Sequence, residues 1–181
     1  MDVTRDIADA MQVLRYTVDG GNKIKGQWYK PHVDWFNADG YDGNDPKIDN
    51  GTNRFATMFL YLSDVEEGGD TVFPLSTSHA GYNGEQLVRN GTVKTPGYIH
   101  MDDAMYCCNH TSTALRSTPK RGNAVLFYSQ KPDGELDPYA LHGGCPMIRG
   151  EKWAANVWVW NRLRPDPSKA KLDAQGKLWF D

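Results

Sequence analysis

The chain lacks a long hydrophobic run, a basic run and a signal-peptide core, and each absence narrows the class of protein it can be. No apolar stretch approaches the roughly 20 residues of a membrane-spanning helix, so we expect no direct membrane contact within this chain. The formal net charge is −3 at pH 7 without a lysine- or arginine-rich cluster, which makes nucleic acid an unexpected partner. Residues 1–6 are charged, unlike the start of a secretory signal. The 181 residues suit one domain with a sizeable core.

Two histidines and an aspartate have the residue types and spacing of a metal site. His32 and Asp34 lie at positions i and i+2 of an extended, aromatic-rich segment, residues 29–36, and alternate residues of a strand point to the same face. Both side chains can therefore reach one ion. His142, from a distant strand, completes a 2-His-1-carboxylate set, which holds Fe(II) on one face and leaves the opposite face open. Lys152 offers a cation for an anionic co-substrate.

The other histidines have weaker contexts. A second His-x-Asp pair, His100 and Asp102, lies in a stretch rich in Gly, Asn, Thr and Ser, with no strand pattern to aim it. His79 and His110 also lie in polar, loop-like sequence, and we expect them to be solvated. Taken alone, His142 is compatible with an ordinary buried histidine, although its glycine neighbours allow close backbone approach.

Three segments carry a resemblance to a known family. They are residues 12–17 with 31–36, residues 53–74, and residues 131–138 with 141–146 and 150–158. Together they resemble the prolyl 4-hydroxylase branch of the Fe(II)/2-oxoglutarate dioxygenases. The resemblance implies a mainly β fold, a double-stranded β-helix (jelly-roll) core with flanking helices. The metal would lie between the two sheets, near one open end.

The resemblance also implies a set of cofactors and a role for each site residue. The enzyme would use Fe(II), 2-oxoglutarate, O₂ and L-ascorbate and release succinate and CO₂, with the metal held by His32, Asp34 and His142. Lys152, ten residues after His142, would bind the far carboxylate of 2-oxoglutarate. Tyr16 and Thr57 occupy positions that hydrogen-bond this carboxylate in similar enzymes, and both are otherwise ordinary strand residues.

The implied substrate is proline in a proline-rich or collagen-like chain, whose extended polyproline II form suits an open groove. Tyr29 and Trp158 occupy positions of the peptide site in similar enzymes, and core aromatic packing is the alternative for both. A regular strand would point Tyr29 away from the metal pair, because Tyr29 lies three residues before His32, although Pro31 can disturb the alternation. Two enlarged loops leave the peptide preference open.

Many short strands separated by turn signals predict an all-β jelly roll or barrel. We expect one domain over residues 1–163, with a long polar insert at about 75–119 that could form a lid over the peptide groove. A polar tail, 164–181, follows.

Within this domain, the pattern predicts a short helix over residues 2–11 and a strand over 140–142. Residues 55–62 are apolar on both faces, which predicts a central strand buried on both sides. The acidic sequence at 66–69 predicts a solvated turn rather than a cation site.

Two weaker features concern the cellular compartment. The cysteines are Cys107, Cys108 and Cys145, and adjacent cysteines rarely bridge to each other. Similar secretory enzymes often carry a bridge beside the active site, which here would join Cys145 to Cys107 or Cys108; three thiols are the alternative. A bridge would indicate an oxidising compartment. Three Asn-x-Thr sequons begin at Asn50, Asn90 and Asn109. We expect an endoplasmic reticulum or secretory enzyme, present here as a catalytic fragment or an unusually short family member.

Three alternatives stay open. A related 2-oxoglutarate dioxygenase acting on another residue or a small molecule would share the triad and Lys152. A catalytically inactive jelly-roll binding module would not turn over 2-oxoglutarate. A zinc hydrolase tolerates the same ligand types, but it would leave Lys152 without a purpose.

Overall fold

The computed structural model describes residues 7–19, 26–36, 53–77, 107–109, 112, 114–162, 171–172 and 178–179. These residues form twelve strands: β1 Gln12–Thr17, β2 Tyr29–His32, β3 Arg54–Tyr61, β4 Glu67–Gly68, β5 Thr71–Thr77, β6 Ala114–Ser117, β7 Ala124–Tyr128, β8 His142–Gly144, β9 Met147–Arg149, β10 Glu151–Trp160, β11 Lys171–Leu172 and β12 Leu178–Trp179. In the described part of the chain, no helix is long and apolar enough to cross a membrane.

Eight of these strands form two four-stranded antiparallel sheets. The larger sheet has the order β1-β10-β3-β7 and the smaller one β2-β8-β5-β6. The chain passes from one sheet to the other after β1, β2, β3, β6, β7 and β8, and this alternation is the strand order of a jelly roll. The predicted fold class is therefore confirmed.

Strands β3, β5 and β10 each contribute buried side chains to the core. Alternate residues of β10 point inward, so that Lys152, Ala154 and Trp160 are all at most 3% exposed. Tyr61 on β3 is equally buried. Residue Met58, on the opposite face of β3, is 39% exposed. The expectation that this strand is buried on both faces is therefore wrong, since β3 is central in its sheet but has one solvent-exposed face.

The described start of the chain is not helical beyond Ile7, which has 3-10 conformation. Ala8 forms an antiparallel bridge with Val159, and the Asp9 N–H donates to the Trp158 carbonyl at 2.8 Å. This pairing continues the edge of the larger sheet and replaces the expected helix over residues 8–11; residues 2–6 of that prediction lie outside the described residues. No α-helix lies complete within the described ranges, so the flanking helices stay a prediction.

The strand predicted over residues 140–142 is also wrong. Residues Pro138–Ala140 form a 3-10 turn instead, because Pro138 favours a helical start and the Asp137 carboxylate accepts a hydrogen bond from the Tyr139 N–H at 2.9 Å. Strand β8 begins only at His142.

Both edges of the expected insert belong to the smaller sheet, since β5 continues to Thr77 and β6 pairs with it. Most of the insert, the sequons at Asn50 and Asn90, and His79, His100, Asp102 and His110 lie outside the described residues. Asn109 is exposed. In the tail, β11 pairs with β12.

Cys108 is bonded to Cys145, and Cys107, which takes no part in the bridge, is buried.

Candidate active site

The three residues predicted as metal ligands meet at one end of the sheets. One ligand atom from each of His32, Asp34 and His142 lies within 4.8 Å of the other two. The two histidines are directly opposite each other on β2 and β8. The Asp34 carboxylate lies between them, with Oδ1 3.5 Å from His32 Nε2 and Oδ2 3.8 Å from His142 Nε2.

Both imidazoles are oriented by the backbone. The Nδ1 atoms of His32 and His142 each lie 2.9 Å from the carbonyl oxygen two residues earlier, of Lys30 and Ala140 respectively. A proton on Nδ1 satisfies each of these contacts and leaves the Nε2 lone pair directed at Asp34, which is the usual arrangement of metal-binding histidines. Burial, and then the neighbouring His32, lower the pKa of His142 to about 4, although Asp34 opposes the shift. At neutral pH, His142 is therefore an uncharged donor.

The carboxylate of Asp34 is held from the opposite side. Its Oδ2 accepts a hydrogen bond from the Thr57 hydroxyl at 2.6 Å and another from the Trp158 indole N–H at 3.0 Å. Burial raises the pKa of Asp34, but the neighbouring His32 and His142 and the Thr57 hydroxyl together lower it below its usual value. The site thus offers two imidazole nitrogens and an ionised carboxylate, the donor set that fits Fe(II).

Thr57 was expected on the far carboxylate of the co-substrate, and its hydroxyl is instead bonded to Asp34. The side chain is 1% exposed and does not line the cavity. Trp158 was expected against the substrate. Its indole N–H is used by Asp34, while the ring lines the cavity. Sequence reasoning could not find the hydrogen bonds from Thr57 and Trp158, because they join β3 and β10 to Asp34, which lies just beyond the end of β2.

A cavity of about 350 Å³ connects the triad to Lys152. The Lys152 side chain is 3% exposed, and its Nζ donates to the Gly69 carbonyl at 2.7 Å. The ammonium lies 4.9 to 5.6 Å from the ring centroids of three aromatic residues, Tyr16, Phe59 and Tyr61. Burial lowers the pKa of Lys152 to about 8, against the opposing charge of Asp70. Lys152 is therefore a buried cation that is mostly protonated at neutral pH.

The carbonyl that contacts Lys152 depends on two glycines. Gly68 and Gly69 have φ of +82° and +69°, a left-handed conformation that favours glycine. A Cβ on Gly69 would lie 2.7 Å from Met147 Sδ. Glu66 is exposed and paired with Arg149, as expected of a solvated segment. The turn expected over residues 66–69 is wrong, however, because Glu67–Gly68 form β4, which pairs with β9. Sequence reasoning missed the role of the glycine pair, although its position directly before β5 was an available signal.

Thr71 and Tyr61 are further polar residues that sequence reasoning did not select. Thr71 lines the cavity, and the Tyr61 hydroxyl donates to its Oγ1 at 2.9 Å. The Thr71 hydroxyl can consequently donate its own proton to an anion in the cavity. Tyr16, directly opposite Lys152 on β1, also lines the cavity. Burial and the neighbouring Tyr29 raise the pKa of Tyr16, so the phenol keeps its proton.

Tyr29 lies on the same side of its strand as His32, one of the predicted metal ligands. The pairing of β2 with β8 is irregular between Tyr29 and His32, and the two rings meet edge to face at 4.6 Å. The alternation expected of a regular strand therefore fails here. The close approach of β8 depends on Gly143, where a Cβ would lie 3.1 Å from both Pro31 N and the Tyr29 carbonyl oxygen. Tyr29 is half exposed and lines the cavity.

Comparisons with known proteins agree with this geometry. The family model described as the 2OG-Fe(II) oxygenase superfamily matches residues 11–160. Probable prolyl 4-hydroxylase 3 of Arabidopsis thaliana is 37% identical over 157 residues, which cover 87% of this chain and 44% of that protein. Prolyl 4-hydroxylase 5 of the same plant is 36% identical over 150 residues, with 83% and 41% covered. The chain thus spans less than half the length of these curated relatives.

A solved structure is also similar. It is the viral collagen prolyl hydroxylase of Paramecium Bursaria Chlorella virus-1 in a 2OG complex, with 28% identity and a TM-score of 0.49. The match covers 84% of this chain and 59% of the viral chain.

Proposed function

The chain belongs to the 2OG-Fe(II) oxygenase superfamily, and from that premise we propose that it is an Fe(II)- and 2-oxoglutarate-dependent dioxygenase that 4-hydroxylates proline in proline-rich or collagen-like peptides. The observation that carries the proposal is the shared cavity: the His32, Asp34 and His142 donor set lines the same space as the buried cation Lys152. Neither a zinc hydrolase nor a binding module accounts for that pairing. The names of the curated relatives favour proline as the target residue.

His32, Asp34 and His142 would hold Fe(II), because their donor atoms face one another and their remaining polar atoms are already hydrogen-bonded. When bound, the metal supplies the oxidative chemistry by which 2-oxoglutarate and O₂ give succinate, CO₂ and a hydroxylated substrate. The protein's contribution is to fix the ligands and to keep the site dry.

Lys152 would bind the far carboxylate of 2-oxoglutarate. An ammonium has three donors, and the contact with the Gly69 carbonyl uses one of them. Tyr16 and Thr71 line the cavity with hydroxyl groups that can donate to the same anion. Lys152 is buried, and in such surroundings charge-assisted bonds are stronger than in water.

Tyr29 and Trp158 would contact the peptide. Tyr29 is half exposed where the cavity opens, and its ring lies against His32. Trp158 also lines the cavity, while its N–H is held by Asp34 and the Arg54 guanidinium lies over its ring, 3.7 Å from the centroid. Two aromatic surfaces beside the metal ligands suit a proline ring, which is apolar and rigid.

Two finer parts of the proposal concern the reductant and the compartment. We propose L-ascorbate as the reductant that maintains Fe(II), on the strength of the family resemblance alone. We also propose that the protein works in the endoplasmic reticulum or secretory pathway. The Cys108–Cys145 bridge supports that location, because disulfides persist in oxidising compartments.

The deciding experiment measures succinate formation from 2-oxoglutarate with Fe(II) and ascorbate, with and without poly(L-proline) or a collagen-like (Pro-Pro-Gly) repeat. We expect peptide-stimulated succinate and a mass gain of about one oxygen per modified proline. Succinate without peptide oxidation would retain the dioxygenase and point to another substrate. No succinate would favour the binding module.

Variants of the site sharpen this test. His142→Ala should abolish turnover, and so should iron chelation, whereas Lys131→Met, at an exposed lysine far from the cavity, should match the parent. Activity retained in His142→Ala would overturn the ligand assignment. If Zn(II), added after iron chelation and in the absence of O₂, restored activity on the peptide, a hydrolase would be favoured.

A further inference from the structure

The main chain that carries Asp34 has left its strand before it reaches the aspartate. Strand β2 ends at His32, and residues 33–36 continue beyond its pairing with β8. The hydrogen bonds from Thr57 and Trp158 fix the Oδ2 atom of Asp34, but they do not fix the main chain from which the side chain projects. A functional group must be held to within about 0.5 Å of its productive position. The segment therefore needs an anchor beyond the aspartate.

Asn53 supplies an anchor at the far end of this segment. Its Oδ1 accepts a hydrogen bond from the Phe36 N–H at 3.0 Å, and its Nδ2 donates to the Phe36 carbonyl at 2.9 Å. The amide thus binds both main-chain polar groups of one residue, as the opposite residue of an antiparallel strand does. Phe36 is two residues after Asp34, so the aspartate lies between the pairing of His32 on β2 and this anchor.

Asn53 is itself buried and held by its neighbours. The residue is 5% exposed. Its N–H donates to the Asn161 side-chain oxygen at 3.0 Å, and its carbonyl accepts from the Asn161 N–H at 3.0 Å. Its Oδ1 also accepts from the Arg54 N–H at 2.9 Å, which fixes the orientation of the amide. Because Asn53 directly precedes β3, the strand that carries Thr57, one strand holds both the carboxylate and the main chain of the Asp34 segment.

The Phe36 side chain packs at the same place. Its ring is stacked on the buried Trp160, with centroids 5.7 Å apart and an interplanar angle of 17°, and the Arg54 guanidinium lies 4.6 Å from its centroid. Ring contacts of this kind tolerate small displacements, whereas a hydrogen bond weakens steeply when its angle changes. The ring therefore keeps Phe36 against the larger sheet, and the amide of Asn53 sets its exact position.

We propose that Asn53 is a positioning residue for the metal centre: its amide fixes the main chain at Phe36 and thereby places the Asp34 carboxylate between the two histidines. This inference rests on the proposed function, since it assigns a support to the same metal site. Asn53 is not one of the three donor residues and does not line the cavity, so it acts through Asp34.

The experiment compares Mn(II) binding by calorimetry in the full parent chain and in Asn53→Ala, without co-substrate or peptide. Loss of a group that orients a ligand typically costs about ten- to a hundredfold in metal affinity. We expect a loss of at least about tenfold, because Asp34 is then free to leave its position between the histidines. Once Mn(II) is saturating, the affinity for 2-oxoglutarate should be close to that of the parent, because Lys152 is untouched. Equal losses for the metal and for 2-oxoglutarate would indicate a loosened fold and overturn the inference.

Asn161→Ala is the matched control. It removes the acceptor of the Asn53 N–H, but it leaves the Asn53 side chain on Phe36 and the Asn161 N–H on the Asn53 carbonyl. Both variants should lose unfolding free energy in urea, since each leaves buried polar groups without a partner. The affinity for Mn(II) should fall in Asn53→Ala and remain that of the parent in Asn161→Ala. If both variants bound Mn(II) equally well, Asn53 would support only the fold and the inference would be overturned.

Should Asn53→Ala fail to fold, Asn53→Asp decides the question. This variant keeps the size of the side chain and the acceptor of the Phe36 N–H, but it places an oxygen where the amide donates to the Phe36 carbonyl. The added negative charge favours a cation, so weaker Mn(II) binding in Asn53→Asp would come from displacement of the segment. Binding as tight as in the parent would overturn the inference. A parent chain that does not bind Mn(II) would instead refute the metal site of the proposed function, and this inference with it.

Discussion

The indole N–H of Trp158 donates a 3.0 Å hydrogen bond to Oδ2 of Asp34, although the two residues are 124 positions apart. The same oxygen accepts the Thr57 hydroxyl at 2.6 Å. Together the two bonds turn Oδ1 of Asp34 towards His32. Two strands of the larger sheet, β3 and β10, therefore orient the Asp34 carboxylate, which lies just beyond the end of β2 in the smaller sheet.

Replacing Trp158 with phenylalanine should weaken metal binding. Trp158→Phe keeps an aromatic wall but removes the donor to Asp34, and loss of such an outer hydrogen bond typically costs about ten- to a hundredfold in metal affinity. The measurement is Mn(II) binding by calorimetry in the absence of peptide. Trp153→Phe is the matched control, because that indole lies on the exposed face of β10 and donates to Glu151. Equal Mn(II) affinity in the two variants would contradict the prediction.

Thr57→Val tests which partner the threonine hydroxyl serves. Because it is bonded to Asp34, the variant should bind Mn(II) about ten- to a hundredfold more weakly. It should also lose about 1–3 kcal/mol of unfolding free energy, since a buried acceptor loses a donor. At saturating metal, the KM for 2-oxoglutarate should stay within about twofold of the parent. A raised KM with normal metal affinity would return Thr57 to the role expected from the family resemblance.

Lys152→Met should raise the KM for 2-oxoglutarate while leaving metal binding intact. A hydrogen bond to a charged group contributes about 1.5–3 kcal/mol, which corresponds to about ten- to a hundredfold in KM. Pyruvate, which has the keto acid but no far carboxylate, provides the control: its binding to the Mn(II)-loaded protein should be the same in parent and variant. An equal loss for both compounds would mean that Lys152 supports the pocket as a whole.

The KM for 2-oxoglutarate should rise with pH above about 8. The pKa of Lys152 is lowered to about 8 by burial, so the cation is present below that pH and is lost as pH rises through it. Binding of a dianion favours the protonated form, and calorimetry in buffers of different ionisation enthalpy should detect proton uptake on binding near pH 8. Proton release, or none, would contradict this sign.

Removing the Cys108–Cys145 bridge should destabilise the fold. The bridge closes a loop of sequence separation 37, for which the chain-entropy relation gives about 3–4 kcal/mol. Cys108→Ser should show this loss in urea unfolding under non-reducing conditions, with Cys107→Ser as the comparison at the neighbouring buried cysteine. Parent protein unfolded in urea in the presence of dithiothreitol should show the same loss of unfolding free energy as Cys108→Ser. Equal stability of parent and Cys108→Ser would show that the bridge adds little.

The sequence by itself determined the chemistry of the site. The spacing of His32 and Asp34, together with a distant His142, predicted a ligand set that the structure brings within 4.8 Å. Lys152 was selected because it follows His142 by ten residues, the spacing that the family resemblance implies. The β-rich class followed from short apolar segments separated by turn residues, a local property that sequence displays directly.

The tertiary structure decided which groups support these residues. The partners of Asp34 and the carbonyl beside Lys152 are contributed by strands far away in sequence. The choice of Cys108 over Cys107 likewise depended on how β8 and the 107–109 segment meet. Tyr29 turned towards His32 through an irregularity in strand pairing, and Thr57 is bonded to Asp34 and does not line the cavity. A hydrogen bond needs its atoms placed to within a few tenths of an ångström. Spacing along the chain does not specify positions so precisely, and the packing of the two sheets sets them instead.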